Sequence, residues 1–169
     1  MPYYKFYGFL TPLCNTRYSK FTVADTEYNS MEQYMYAQKA KVAEDQEAYQ
    51  RIMKTDVPMR VRSVQIRKLN EDTWKQSVHK ILKDGLKAKF YQNKNCRTYL
   101  LKTGDSKLAY CDISDLILGT GVARFSELAN DESKWLGQNL LGESLMKLRK
   151  KIQKCPKFQG EVETIKKEI

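Results

Sequence analysis

Two patterns of hydrophobic and polar residues follow each other along the chain, and they predict different elements. In the segment FTVADTEYN, apolar and polar residues alternate around Ala24 and Asp25, which predicts a strand or a hairpin. Beyond it, apolar positions recur with the period of one side of a helix, and Ser30 and Gln33 have the spacing of a capping box. We therefore expect β structure at the beginning of the chain and then a helix at about residues 30–43.

The rest of the chain has a mainly helical pattern. EDQEAYQRIMKT predicts a short helix, Pro58 fits the first turn of a further turn or helix, and Asn70 fits the N-cap of the longest helix. One buried stripe on that helix is predicted by the spacing of Trp74, Val78, Ile81, Leu82 and Leu86. KNCRTYLLKTG predicts a helix that ends at Gly104, KLAYCDI a strand, and LGQNLLGESLMKLRKKI a closing helix. The predicted fold class is α+β, with several helices packed around a small β-sheet.

Chain length and composition indicate a single compact domain over residues 1–169. A chain of 169 residues with 41% hydrophobic and 30% charged residues has the profile of a globular protein with one core. We expect a short basic extension from about residue 153. No apolar run approaches the ~20 residues that cross a bilayer, and the first residues lack the order of a signal peptide. We therefore expect no association with a membrane and a cytoplasmic location.

The cysteines and the single histidine restrict the chemistry. The cysteines lie without any C-x-x-C pair, so we expect reduced thiols that mostly serve packing; they are Cys14, Cys96, Cys111 and Cys155. Because His79 is the only histidine, mechanisms that need a histidine cluster, a histidine-metal site or a Ser-His-Asp triad are nearly excluded. Acid–base chemistry therefore falls to carboxylates, and no metal site is predicted.

Charge points to an anionic partner. The net charge of +10 favours either a phosphorylated metabolite or a nucleic acid. Five cations on predicted helices either form a phosphate-binding wall or remain on solvated faces; they are Lys39, Arg60, Arg62, Lys87 and Lys89. Trp74 either anchors the core or forms one wall of a base pocket.

Acidic residues at two places have positions that suit catalysis. Glu32 lies in the first turn of the predicted helix 30–43, where the helix dipole favours a carboxylate that acts as a general base. The alternative is that Glu32 has no catalytic role, because the helix dipole alone makes acidic residues common in a first turn. Asp112 and Asp115 follow a predicted strand and precede a glycine-containing loop, LILGTG, so they either face a ligand or form Asx turns.

Several motifs occur together in one order. These are PLCN, YNSMEQYMYAQKA, the isolated Trp74, GLKAKFYQN, YLLKTGD, Asp115 before LGTG, and WLGQNLLGESLMKLR. In that order they resemble the NADAR family, also called the YbiA-like N-glycosidases. The resemblance covers roughly residues 6–152, and its most specific parts are the SxEQ helix, the KFxQN segment and the final WxGxNLLGxxLMxxR.

The resemblance implies an α+β fold and hydrolysis of a ribose–base N-glycosidic bond, with no metal or organic cofactor. The implied substrates are phosphorylated ribosylamino-pyrimidines of the early riboflavin pathway, or an ADP-ribosylated base such as ADP-ribosyl-guanosine, free or within nucleic acid. The family's acidic positions fall on Glu32 and Asp115, the predicted catalytic residues. Polar positions that match the family's motifs are candidates for holding ribose and phosphate; they are Asn15, Gln33, Lys39, Lys89 and Asn139.

The sequence departs from the family pattern in three places. PLSNF reads PLCNT here, with Cys14 and Thr16 changed. Leu118 stands where many members carry a tryptophan, and Ser63-Val64 replaces a glycine-arginine pair. These changes remove a ring and a cation, so an alternative function is a non-catalytic module that binds ADP-ribose or another nucleotide. A basic nucleic-acid-binding protein is a third possibility.

Overall fold

The structure is a computed structural model that describes residues 3–168. Its strands are β1 (Tyr3–Phe6), β2 (Phe21–Val23), β3 (Thr26–Tyr28) and β4 (Lys107–Tyr110). Its α-helices are α1 (Met31–Val42), α2 (Gln46–Met53), α3 (Glu71–Gln92), α4 (Lys94–Lys102), α5 (Leu140–Lys154) and α6 (Gln159–Glu168). Short 3-10 helices cover Pro58–Ser63, Glu127–Asn130, Glu132–Lys134 and Pro156–Phe158. The predicted α+β class is confirmed.

The chain divides into two compact units. One is continuous and runs over Cys14–Asn93; the other combines the described residues up to Leu13 with those from Lys94 onward. Each unit contains one two-stranded sheet: β2 pairs with β3 in an antiparallel hairpin, and β1 pairs with β4 in parallel. The predicted small sheet is therefore two separate ladders.

Polar caps define the helices of the continuous unit. The Ser30 hydroxyl accepts the Gln33 N–H at 3.1 Å, which confirms the predicted start of α1. In return, Gln33 Oε1 accepts the N–H of Asn29 at 2.8 Å, one residue before the N-cap. Asn70 Oδ1 accepts the Thr73 N–H at 3.0 Å, so the predicted N-cap of α3 is also confirmed. These side chains satisfy amide groups that the first turn of a helix leaves without intrahelical partners.

Packing inside this unit brings α1 close to α3. The predicted hairpin forms with positive φ at both central residues, Ala24 (47°) and Asp25 (62°), the backbone that tight two-residue hairpins need. Helix α1 packs against α2 and α3. At Gly85 on α3, an added Cβ would lie 2.4 Å from the ring of Tyr34, so only glycine allows this close approach of the two helices.

The discontinuous unit is built on the parallel pair of β1 and β4. Tyr3 lies opposite Lys107 and Phe6 opposite Tyr110. Helix α5 packs on β4, and a Cβ at Gly142 would lie only 2.2 Å from the carbonyl oxygen of Leu108. Strand β4 ends at Tyr110, earlier than the predicted strand KLAYCDI.

The C-terminal part differs from the sequence pattern in two respects. The closing helix starts at Leu140 rather than at the LGQN segment, because Asn139 has left-handed backbone (φ 51°) and its side chain bonds to β4 instead. The segment predicted as a basic extension contains α6, whose buried Val162 and Ile165 face the rest of the unit. Helix α6 packs against α4 and α5.

Candidate active site

Glu32 is a buried carboxylate held by an arginine. It lies in the first turn of α1, and only 5% of the residue is exposed. Its Oε1 accepts a hydrogen bond from Arg62 Nε at 2.6 Å. The guanidinium and the N-terminal end of the helix both favour negative charge at this position. A buried, fixed carboxylate of this kind can stabilise a developing cation or orient a water molecule.

The sequence predicts Arg62 only as one of five cations of a phosphate-binding wall, and not as the partner of Glu32. It lies near the end of the 3-10 helix Pro58–Ser63, in which Val61 is fully buried and Arg62 half-buried. In the sequence, Pro58 predicts the start of that helix. The direction of the arginine toward α1 is set by packing, which no sequence period records. A cation thus stands beside Glu32 even though Val64 replaces the family's arginine.

The loop at Asn15 lies directly against the start of α1. The Glu32 N–H donates to the Asn15 carbonyl at 2.9 Å. Asn15 is 2% exposed, and its Oδ1 has no hydrogen-bond partner within residues 3–168. The ammonium group of Lys89 is completely buried and donates to the carbonyl of Cys14 at 3.4 Å. Three of the predicted site residues, Asn15, Glu32 and Lys89, are therefore gathered around one loop.

Lys39 lies two helical turns beyond Glu32 and is held by aromatic rings. Its Nζ is 5.4 Å from the ring centroid of Trp74 and 5.8 Å from that of Tyr36. No carboxylate in the described part of the chain forms an ion pair with it. Trp74 itself is 6% exposed, and its ring forms a cation–π contact with Lys39. Its predicted role as a wall of the base pocket stays a prediction.

A cavity of about 430 Å³ opens beside Lys39. Tyr36 and Lys39 of α1 line it together with Lys68, which has left-handed backbone (φ 56°). The remaining lining residues are Val64, Ile66, Leu69 and Glu71. Ligand cavities commonly have this size, and the lining of this one is mainly polar. The cavity can therefore take an anion at Lys39.

The other predicted phosphate-wall cations do not form one wall. Lys89 is buried at the Cys14 carbonyl and Arg62 is engaged with Glu32, whereas Arg60 and Lys87 are exposed to solvent. Lys87 Nζ lies 5.6 Å from the ring of Tyr91 on the same helix. Of the five, Lys39 is the cation at the cavity.

Gln33 has a structural role that the sequence did not reveal beyond its capping position. Its side-chain Nε2 donates to the carbonyl of Ile52 at 3.1 Å and lies 3.3 Å from that of Thr55, at the end of α2. With Oε1 bound to Asn29, both ends of the amide connect backbone segments. Its contact with substrate stays a prediction.

Asn139 acts in the same way in the discontinuous unit. Its Oδ1 accepts the Tyr110 N–H and its Nδ2 donates to the Leu108 carbonyl, both at 2.9 Å. The amide thereby takes the place of a neighbouring strand along β4. The family motif at Asn139 thus has a clear role in folding, and its predicted role in binding ribose or phosphate is not tested by these contacts.

Both aspartates after β4 form Asx-type turns. Asp112 Oδ1 accepts the N–H and the hydroxyl of Ser114, and its Oδ2 accepts the Tyr110 hydroxyl at 3.0 Å. Asp115 Oδ1 accepts the N–H groups of Ile117 and Leu118 at 3.0 and 2.8 Å. The turn geometry is the alternative that the sequence left open. Because it uses only Oδ1 of Asp115, it leaves the predicted catalytic role of that residue open.

Leu118 is packed inside the discontinuous unit, with 9% of the residue exposed. Its carbonyl accepts the N–H of Leu141 at the start of α5. The leucine that stands at the position of the family's tryptophan is therefore largely buried.

The remaining reactive groups have ordinary surroundings. No disulfide joins the four cysteines, and burial raises the pKa of the Cys111 thiol, which favours the protonated form. Within residues 3–168, no three histidine, cysteine, aspartate or glutamate residues form a group that could hold a metal ion. In the same range, no helix is both long and apolar enough to span a bilayer. His79 is exposed on α3.

Known proteins are similar to this chain in fold or in sequence. The NMR structure of YbiA from E. coli is similar with a TM-score of 0.70 and 25% identity, covering 89% of this chain and 84% of that one. N-glycosidase R617 of Acanthamoeba polyphaga mimivirus is 34% identical over 129 residues, covering 75% of this chain and 76% of the relative. Protein irg-1 of Caenorhabditis elegans is 30% identical over 146 residues, covering 84% and 69%.

These similarities define a class of α+β proteins that share the YbiA-like fold. The family model described as NADAR domain matches residues 3–153. The chain therefore belongs to the NADAR family, and the resemblance found in the sequence motifs is confirmed.

Proposed function

We propose that this chain hydrolyses a ribose–base N-glycosidic bond and that Glu32 is the carboxylate that carries the reaction. Membership of the NADAR family, together with a relative named as an N-glycosidase, makes the chain an N-glycosyl hydrolase. The observation that carries the proposal is the Glu32 carboxylate, buried in the first turn of α1 and held by Arg62.

Cleavage of a ribose–nitrogen bond passes through an oxocarbenium-like state. Positive charge develops on the sugar, the base departs with a proton, and water adds to the sugar. A carboxylate held in place by an arginine does not have to reorganise as that charge develops. We assign Glu32 to the stabilisation of the cation and to the orientation of the attacking water.

The positions of Glu32 and Lys39 suit a phosphorylated riboside. They are seven positions apart on α1, so they lie on the same face, about 10 Å apart along the helix axis. Lys39 has no carboxylate partner within the described residues and lines the 430 Å³ cavity. We place the sugar at Glu32 and a phosphate group at Lys39, where the binding energy of the phosphate orients the bond to be broken.

Asn15, Lys89 and Asp115 complete the proposal. The buried Asn15 Oδ1 provides an acceptor for a ribose hydroxyl next to Glu32. Lys89 places positive charge beneath the loop at Cys14, which favours an anionic ligand there. We assign Asp115 to the leaving base or to ribose, acting through Oδ2 while Oδ1 maintains the turn. We propose that this hydrolysis requires no cofactor and takes place in the cytoplasm.

Removal of the charge at Glu32 tests this function. Glu32→Gln keeps the shape of the side chain, so we expect turnover to fall at least about 100-fold, with folding and most of the ligand affinity retained. Glu47→Gln is a matched control, because Glu47 is also a first-turn acid paired with an arginine, but is 59% exposed. Release of free base, thermal melting and ligand titration are measured on all three proteins. A Glu32→Gln protein with near-native turnover on a substrate of the wild type would show that the function does not depend on this carboxylate.

Two substrate classes remain to be distinguished. The first is a phosphorylated ribosylamino-pyrimidine, and the second is an ADP-ribosylated base such as ADP-ribosyl-guanosine, either free or within nucleic acid. Incubation with both classes and measurement of the released base separates them.

We expect Lys39→Gln to raise the KM for the true substrate more than it lowers kcat, since Lys39 is assigned to binding.

A further inference from the structure

One exposed ridge of α3 carries cations that the proposed catalytic site does not use. Lys75, His79, Lys83 and Lys87 follow each other at intervals of four residues, and all four are exposed. Positions i and i+4 lie on one inclined row of a helix surface, about 6 Å apart along the axis. The row is therefore about 18 Å long and contains three lysines and the only histidine of the chain.

The charges of this ridge are not neutralised by the protein. Within residues 3–168, Lys75, Lys83 and Lys87 form no ion pair with a carboxylate. The adjacent row differs, because Lys80 is paired with Asp84 through a hydrogen bond. The acidic residues of α3 otherwise lie in its first turn, where the helix dipole favours them.

Helix electrostatics do not explain these lysines. Lys151 and Lys154 lie in the last turn of α5, where cations are favoured by the dipole, so their position needs no ligand. Lys75, Lys83 and Lys87 lie in the body of the 22-residue helix α3, where that effect is absent. A regular row of unpaired cations is complementary to a regular row of anions.

We propose that the ridge Lys75–His79–Lys83–Lys87 binds the phosphate backbone of a nucleic acid. A repeating polyanion fits a repeating row of cations, and long lysine side chains supply phosphate contacts that do not depend on sequence. A membrane surface fits less well, because the apolar side of α3 is buried in the protein and the ridge offers no residue for insertion. A protein partner also fits less well, since lysine is depleted at protein interfaces. The proposal is independent of the glycosidase function and holds for a catalytically inactive protein.

Binding of labelled, unmodified oligonucleotides tests the proposal. Fluorescence anisotropy is measured over a range of salt concentrations for wild type and for the triple variant Lys75→Gln, Lys83→Gln, Lys87→Gln. We expect the variant to bind at least roughly tenfold more weakly near 0.1 M salt, and the slope of log K against log salt to fall by about 2 for single strands, because three phosphate contacts are lost. The triple variant Lys75→Arg, Lys83→Arg, Lys87→Arg keeps the three charges and should bind oligonucleotides as wild type does.

A control separates the ridge from net charge. The variant Lys147→Gln, Lys151→Gln, Lys154→Gln removes the same charge from exposed positions of α5, and we expect its affinity to stay within about twofold of wild type. Equal losses in both variants, or no binding of wild type at any salt concentration, would overturn the proposal. So would binding of wild type to vesicles with anionic lipids but not to oligonucleotides. Thermal melting confirms that each variant is folded, and Glu32→Gln should bind oligonucleotides as wild type does.

Discussion

At the level of single residues, the two oxygens of Asp115 separate a folding role from a chemical role. Oδ1 accepts the N–H groups of Ile117 and Leu118, and an asparagine carbonyl can accept the same two bonds. We therefore expect Asp115→Asn to melt within a few °C of wild type and to lose about 100-fold in turnover, because it removes the charge assigned to Oδ2. Asp115→Ala should show the same loss of turnover and, in addition, a loss of stability of about 1 kcal/mol.

Asp131 supplies the control for this experiment. It forms a similar turn, with Oδ1 accepting the N–H of Ser133 at 3.0 Å, and it lies on the surface. Asp131→Asn should leave turnover unchanged. If Asp115→Asn has the turnover of wild type, Asp115 serves only the turn and is not catalytic.

Asn139 provides a second prediction at this scale, on stability rather than turnover. Its Nδ2 donates to the Leu108 carbonyl, and Asn139→Asp would place a buried carboxylate oxygen against that acceptor. We expect the free energy of unfolding to fall by about 3 kcal/mol at pH 7. Because protonation would restore a donor, the introduced carboxyl group should destabilise less as pH falls. Denaturant titration at several pH values measures this.

The neighbouring Gln138→Glu is the matched exchange of an amide for an acid at an exposed position. It should change the free energy of unfolding by less than about 0.5 kcal/mol. A loss for Asn139→Asp that is equally small would mean that the amide does not support β4.

Candidate residues were predictable from the sequence where chemistry and position agree. The catalytic role of Glu32 stays a prediction, but its place in the first turn of a helix could be predicted from Ser30, which marks the start of that helix. Its partner Arg62 could not, since the contact joins residues 30 apart through packing. Gln33 and Asn139 belong to motifs as well, but only the structure shows that both amides hold backbone segments together.

At the level of elements, α6 is held to α4 by a charged pair. Arg97 is 7% exposed and forms two hydrogen bonds with the Glu161 carboxylate, at 2.9 and 2.6 Å. Its guanidinium lies 4.3 Å from the ring centroid of Phe158. The hydrogen bond and charge of Arg97 lower the pKa of Glu161 below its ordinary value of 4.5. Helix α6 lies beyond the residues matched by the family model, so this contact adds to the family domain.

The lowered pKa makes the contribution of this pair dependent on pH. A carboxyl group whose pKa is lower in the folded state stabilises the protein above its unfolded pKa, and this stabilisation is lost as pH falls through the folded value. We expect Glu161→Gln to lose about 1–2 kcal/mol at pH 7, and the difference from wild type to shrink progressively below about pH 4.5.

Glu163 lies on the same helix and is exposed, so Glu163→Gln is the control. Thermal melting from pH 7 downward should show little effect of this exchange at any pH. A constant difference between wild type and Glu161→Gln over the whole range would show that the pair does not contribute through its charge.

Elements with a strong local signal were predicted well. Helices α1 and α3 both have a polar N-cap, and α3 also has a sustained buried stripe, so local and tertiary preferences agree. The predicted start of α5 was wrong, because the Asn139 side chain bonds to β4 and no local sequence pattern reports that contact. Helix α6 was missed since only Val162 and Ile165 are buried in a segment otherwise rich in charge.

At the level of the whole molecule, the order of the chain separates the two units. The unit Cys14–Asn93 is continuous, whereas the other unit needs residues from both sides of it. Sequence patterns report local periods, so they predicted an α+β chain but not this arrangement. The parallel pairing of β1 with β4 joins residues that are roughly a hundred positions apart, with Tyr3 opposite Lys107.

This pairing has a consequence for synthesis on the ribosome. At about 5–20 residues per second, β1 leaves the ribosome about 5–20 seconds before β4 does. Helices and hairpins form within microseconds, so the continuous unit can fold while β1 still waits for its partner. During that interval the backbone groups that later face β4, in the aromatic segment YYKF, are open to other chains. The nascent chain is therefore most vulnerable to aggregation at its first strand, and slower translation of residues 14–106 would prolong that exposure.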